Sequence, residues 1–125
     1  MRKLFSSLLL LLAMAPTTLT AQVIVNGRDV NEMPDVEYIE LIEDQRPFMQ
    51  RQVFAVIDYG QPIRWGELRL HRIQDENRRD RVFGSEMDIF NFLHKNGWVH
   101  EMTFAKEACV YHIFRRKRDQ GGADK

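Results

Sequence analysis

The most regular hydrophobic pattern in the chain lies between Ser85 and Trp98, "SEMDIFNFLHKNGW". At about 100° per residue, Ile89, Phe90 and Leu93 fall on one side of a helix, with Met87 and Phe92 flanking them and Asp88, Asn91 and Lys95 opposite. Ser85 is placed to cap the helix, and Asp88 occupies the capping-box position where an acid belongs. Gly97 suits the left-handed residue that ends a helix, and Trp98 can fold back on the last turn. A helix of about eleven residues is marginal on its own, so the stretch predicts scaffold that needs a packing partner, not a site.

The segments around it read as strands. "VIV", Val23–Val25, is β-branched and runs into Asn26-Gly27, a turn dipeptide, so residues 22–35 form a lead-in or a short hairpin with Arg28–Val30. "VEYIELI", Val36–Ile42, predicts a strand of mixed apolar and acidic character. In "RQVFAVIDYG", Arg51–Gly60, the continuous apolar run Val53–Ile57 predicts a strand buried on both faces, hence central. Gly60, Pro62 and Gly66 mark a loop, and "ELRLHRI", Glu67–Ile73, alternates like a strand. It would pair through the polar turn "QDENRRD" with Arg81–Phe83.

Trp98–Ala105 alternates cleanly, which assigns Trp98, His100, Met102 and Phe104 to one face and Val99, Glu101, Thr103 and Ala105 to the other. A tight turn at Lys106-Glu107 leads into a last strand, Cys109–Phe114. The predicted fold class is α+β: an antiparallel sheet of four to five strands with one helix packed on one face, spanning residues 36–117 as a single domain, with 118–125 as a disordered tail.

Residues 1–21 stand apart. Arg2 and Lys3, the apolar run Leu4–Ala15, Pro16, three threonines and Ala21 follow the order of a secretory signal peptide. The run is shorter than the roughly 20 residues of a bilayer span. Cleavage after Ala21, or after Thr20, predicts a periplasmic or secreted protein with no stable membrane insertion after signal removal. The product, about one hundred residues, suffices for one domain without disulfides or metal. The lone Cys109 permits no internal disulfide, and its apolar neighbours Val110 and Tyr111 point to burial.

Charge excludes one large class. Removing the signal peptide takes two of 18 basic side chains and none of the 18 acidic ones, leaving 16 against 18. So even a balance provides no field that attracts nucleic acid. Repeats and low-complexity tracts are missing, which excludes a solenoid.

The search for chemistry returns little. His71, His94, His100 and His112 are scattered, without the dense spacing of a zinc site. His100 and His112 lie on consecutive predicted strands and are the candidate metal ligands, but whether they share a face depends on a register that a one-residue slip would invert. Asp58-Tyr59 offers a carboxylate and a phenol with no identifiable partner. Cys109 and His112, three apart on a strand, point to opposite faces. No catalytic residue or cofactor is assigned. The binding candidates are Arg64 and Trp65, an arginine and an aromatic in a predicted exposed loop, and Arg115 and Arg116 in the basic strand end "RRKR".

From Asn26 to Lys117 the chain resembles small exported proteins of unknown function from Bacteroidota, on "VEYIEL", "IDYGQ", "QDEN", "FGSEMDIFNFLHKNGW" and "VYHIFRRK". The helix, "NGW" and final strand are also similar to a broader group of small domains ending in helix, Gly-Trp and two strands. The resemblance implies export and a small α+β fold and brings no catalytic residues. Here "DENRRD" lacks a glycine after its asparagine. The functional expectation is a non-catalytic interaction or accessory module that meets an unknown protein or envelope component. The alternatives are a small metal-dependent hydrolase using His100 and His112, and a small proteinaceous inhibitor acting through an exposed loop or edge strand. The sequence does not set the oligomeric state.

Overall fold

The computed structural model describes residues 22–44 and 52–118. The predicted signal peptide, residue 51 of the second predicted strand and residues 119–125 of the predicted tail lie outside them.

Among the described residues the fold mixes helix with two antiparallel sheets, one of three strands and one of four. The smaller sheet starts with the hairpin of β1, Ile24–Val25, and β2, Arg28–Asp29. Asn26 and Gly27 join them at φ of +54° and +72°, the left-handed geometry of the tight hairpin turn that Asn-Gly favours. The partner on the other side of β1 is β5, Ile73–Gln74. The larger sheet contains β3, Tyr38–Asp44; β4, Val56–Asp58; β6, Trp98–Lys106; and β7, Cys109–Arg116, in the order β4-β3-β7-β6. The expected single sheet is therefore two.

Two strand expectations are corrected. The run Val53–Ile57 is not a central strand: only Val56–Asp58 pairs with β3, at the edge of the larger sheet. Its apolar character has another cause. The run passes between the sheets, where the Ile73 amide donates to the Ala55 carbonyl at 2.7 Å and the Phe83 amide to that of Val53 at 2.8 Å. Continuous hydrophobicity reports burial, which a connecting segment satisfies as well as a strand.

"ELRLHRI" does not form a strand either. Trp65–His71 winds as 3-10 helix, interrupted at Glu67. Leu68 packs against a cluster of Ile42, Cys109 and Tyr111, while Leu70 is exposed. The expected hairpin survives only at its tip, where Gln74 bridges to Asp80. Asp75 closes the turn, its Oδ1 accepting from the amides of Asn77 and Arg79 at 2.8 and 3.0 Å.

The helix, α1, runs Glu86–Lys95. Ser85 Oγ accepts from the Asp88 amide at 3.2 Å, while Asp88 Oδ2 accepts from the Gly84 amide at 2.8 Å, one residue upstream of a standard capping box. Gly97 takes φ of +88°. Ile89 and Leu93 are fully buried with Ile39, Leu41, Ile57, Trp98 and Phe114; Phe90 and Phe92 are half-buried, and Met87 is exposed. The Trp98 indole donates to Asn31 Oδ1 at 2.7 Å, and the Arg116 guanidinium stacks on its ring at 4.7 Å.

Candidate functional site

The site begins with an irregularity in strand pairing. From Trp98 opposite Arg116 to His100 opposite Phe114, β6 and β7 pair in step; the next pair is Met102 with Ile113, followed by Thr103 with His112. Glu101 is thus one residue extra, a β-bulge. Because side chains alternate, one extra residue inverts every later assignment on the strand. The expected facing is corrected accordingly. His100 and Thr103 share the inner face with Phe114 and His112, whereas Phe104 sits on the outer face and stacks on Tyr111 at 5.1 Å.

The inversion completes a chain of polar atoms. Nε2 of His100 lies 2.7 Å from Thr103 Oγ1, which lies 2.7 Å from His112 Nδ1. Nε2 of His112 lies 3.1 Å from Glu43 Oε2, on β3, and 3.4 Å from Glu86 Oε1, the first residue of α1. His112 is 3% exposed, and the Glu43 and Glu86 side chains are 18% and 47% exposed, so the chain runs from buried ring to solvent. Phe90 supplies the apolar wall, its ring centroid 4.9 Å from that of His112 and 5.2 Å from that of His100.

Hydrogen-bond arithmetic orders the protons. Carboxylates accept only, so a Nε2 that serves them as a hydrogen bond carries a proton. Nδ1 of a neutral His112 then accepts from the Thr103 hydroxyl, whose oxygen accepts from His100. If His112 is doubly protonated, every bond beyond it reverses and Thr103 donates to His100. Thr103 is the one group able to serve both states, because a hydroxyl both donates and accepts.

Glu43 and Glu86 also line a groove of about 620 Å³, together with Phe54, Trp65, Arg69 and Arg72. Arg72 stacks over Phe54 at 3.9 Å and pairs with Asp80 at 3.2 Å. A second polar knot gathers about buried His71, whose Nδ1 lies 3.2 Å from the amide nitrogens of Gln61 and Asn26.

The predicted binding residues do not converge. Trp65 is 61% exposed and meets Tyr111 edge-on at 6.4 Å, at one end of β7, with exposed Arg64 preceding it. Arg115 and Arg116 lie at the other end. Arg115 forms an ion pair with Glu101, which holds its guanidinium pKa above the usual value. Arg116 turns inward and donates to the carbonyls of Val36, Met33, Asn31 and Val30 at 2.9, 2.8, 3.1 and 3.3 Å, so its donors serve the fold. His100 and His112 do share a face, their ring centroids 6.1 Å apart, with Thr103 between them. Cys109 is buried in the outer cluster, on the face opposite His112.

Sequence reasoning missed Thr103, Glu43 and Glu86. For Glu43 a signal existed: it continues the inward parity of Ile39 and Leu41, and an acid on a core-facing position calls for a partner. For Thr103 there was none, since the bulge is invisible in the alternation. No protein-family model, curated protein or solved structure matches this chain.

Proposed function

We propose that this chain is an exported α+β module, periplasmic or secreted, that binds a partner polypeptide without catalysing a reaction. In this reading α1 is scaffold laid on the inner face of the four-stranded sheet, and the outer face does the binding. The resemblance to small exported Bacteroidota proteins and the signal-peptide pattern of residues 1–21 support export. Among the described residues no helix is long and apolar enough to cross a membrane.

One observation carries the binding role. β6 is nine residues long and forms the edge of its sheet; among the described residues no strand pairs with its free side. Its outer face presents Met102 and Phe104, 53% and 38% exposed, and Tyr38 on β3 adds a 57% exposed ring to that face. Long edges with apolar side chains are normally blunted, because they invite another strand. On β6 the bulge at Glu101 interrupts the edge, and the segment beyond it, from Met102 to Lys106, carries the exposed apolar pair. The occupant that fits is an extended segment of a partner protein, bonded to the β6 backbone and placing alternate apolar side chains against Met102 and Phe104.

A photo-crosslinking residue at position 102 in the intact envelope tests this, with one at Glu76, in the distant turn, as control. A discrete heterologous adduct at 102, missing at 76 and abolished by Phe104→Pro, is the expected result. An adduct only with a second copy, or none, would overturn the partner reading.

A further inference from the structure

We propose that Glu43, Glu86 and His112 form a binding site for one divalent transition-metal ion, with Thr103 fixing the histidine. The proposal is independent of the edge-strand reading.

Geometry is the first argument. The donors come from three separate elements, β3, α1 and β7, and their ligand atoms all lie within 4.8 Å of one another. Metal bonds of about 2.1 Å place tetrahedral donors about 3.4 Å apart and adjacent octahedral donors about 3.0 Å apart. The two imidazole–carboxylate separations are 3.4 and 3.1 Å. An ion replacing the Nε2 proton needs only small side-chain adjustments.

The second argument is the support behind the ligand. A metal-bound imidazole uses one nitrogen for the ion and donates from the other, and that outer partner fixes the ring. Thr103 Oγ1, 2.7 Å from Nδ1, is in that position and passes its own proton to His100. The outer contact is thus present without any ion. When an ion takes Nε2 the ring proton sits on Nδ1, and both hydrogen bonds through Thr103 reverse direction, which a hydroxyl permits.

Charge and access agree. Among the described residues, neither Glu43 nor Glu86 forms an ion pair with a lysine or arginine; each meets His112. Among the described residues, two carboxylates therefore face one ring with no lysine or arginine within ion-pair distance, while Arg69 and Arg72 line the groove farther off. The positive end of the α1 dipole opposes a cation, but at about half a charge it is outweighed by two carboxylates. Both acids border the groove of about 620 Å³, which leaves water or a small ligand room at the remaining coordination positions. One imidazole with two carboxylates suits zinc and its neighbours better than magnesium or calcium, which take oxygen ligands.

Calorimetric titration of the chelator-stripped protein with zinc chloride, in a non-coordinating buffer, tests the site. The expected result is one ion per chain at micromolar affinity or tighter. Glu43→Gln and Glu86→Gln should each weaken it by more than about tenfold, and Thr103→Val by about tenfold. His94→Ala, on the exposed helix end, should leave it unchanged. Glu86 is half-exposed, so its glutamine variant retains the fold, and circular dichroism verifies this. Absence of binding, or binding that survives both glutamine variants, would overturn the site; so would its loss in His94→Ala.

Discussion

The Thr103 hydroxyl lies 2.7 Å from Nδ1 of buried His112 because the strand that carries it has one residue more than the strand it pairs with. Without Glu101 as the extra residue, Thr103 would face outward and the imidazole would lose its partner on that side. Thr103→Val keeps the shape and removes both hydrogen bonds, leaving a buried ring nitrogen unpaired. The expected cost is about 1–3 kcal/mol, read as a lower urea midpoint with an unaltered slope. An unchanged midpoint would show that the chain of polar atoms contributes nothing to stability.

Arg116 reaches four carbonyls of the segment between Val30 and Val36 while its face rests on Trp98. Lysine keeps the charge but not the planar fork, and a compact ammonium cannot span four acceptors. Arg116→Lys should therefore cost about 2–3 kcal/mol. Amide exchange should accelerate more in residues 22–37 than in β3 or β7. Uniform acceleration would mean that Arg116 does not act as the local tie.

Two left-handed positions make opposite predictions. Gly97 takes φ of +88°, and a Cβ there would meet nothing within 4 Å, so Gly97→Ala isolates the backbone penalty. It should lower stability by about 1–2 kcal/mol. Arg78 holds φ of +60° in the turn after Asn77, the position where the sequence lacks a glycine. Arg78→Gly removes the strain but adds freedom to the unfolded chain, for a net gain of about 0.5–1 kcal/mol. Melting temperatures that move in the same direction for both variants would contradict this account.

Glu40 sits on the outer face opposite Asp58, and burial, with a smaller contribution from that neighbouring acid, raises its carboxyl pKa above the ordinary 4.5. A raised value in the folded state means stability that is fully present below the unfolded pKa and lost as pH rises through the folded one. Glu40→Gln should therefore melt above wild type at pH 7, with the difference closing as pH falls below 4.5. A gap that widens in acid would reverse the assigned sign.

Some of the architecture was legible before folding was considered. The spacing of Ile89, Phe90 and Leu93, the Ser85 cap and Gly97 are local features, decided within a few residues by backbone geometry and side-chain reach, and α1 forms where they place it. The Asn26-Gly27 turn is of the same kind. The apolar run Val53–Ile57 was legible only as burial; its role between two sheets depended on Ile73 and Phe83, about twenty to thirty residues away. "ELRLHRI" alternates, yet alternation without a ladder partner does not make a strand, and within Arg81–Phe83 only Phe83 forms a bridge, to Val53.

The sequence by itself determined a helix with both its ends, a hairpin turn, a buried cysteine and a near-balanced charge, because each follows from neighbours in the chain or from composition. Only the tertiary structure decided that Thr103 turns inward, that Glu43 and Glu86 meet at one imidazole, and that β6 lies at the edge of its sheet while Val53–Ile57 runs between the two sheets. Strand register is chosen by the best total pairing along two strands. A single bulge changes little in that total, but it reassigns every side chain beyond it.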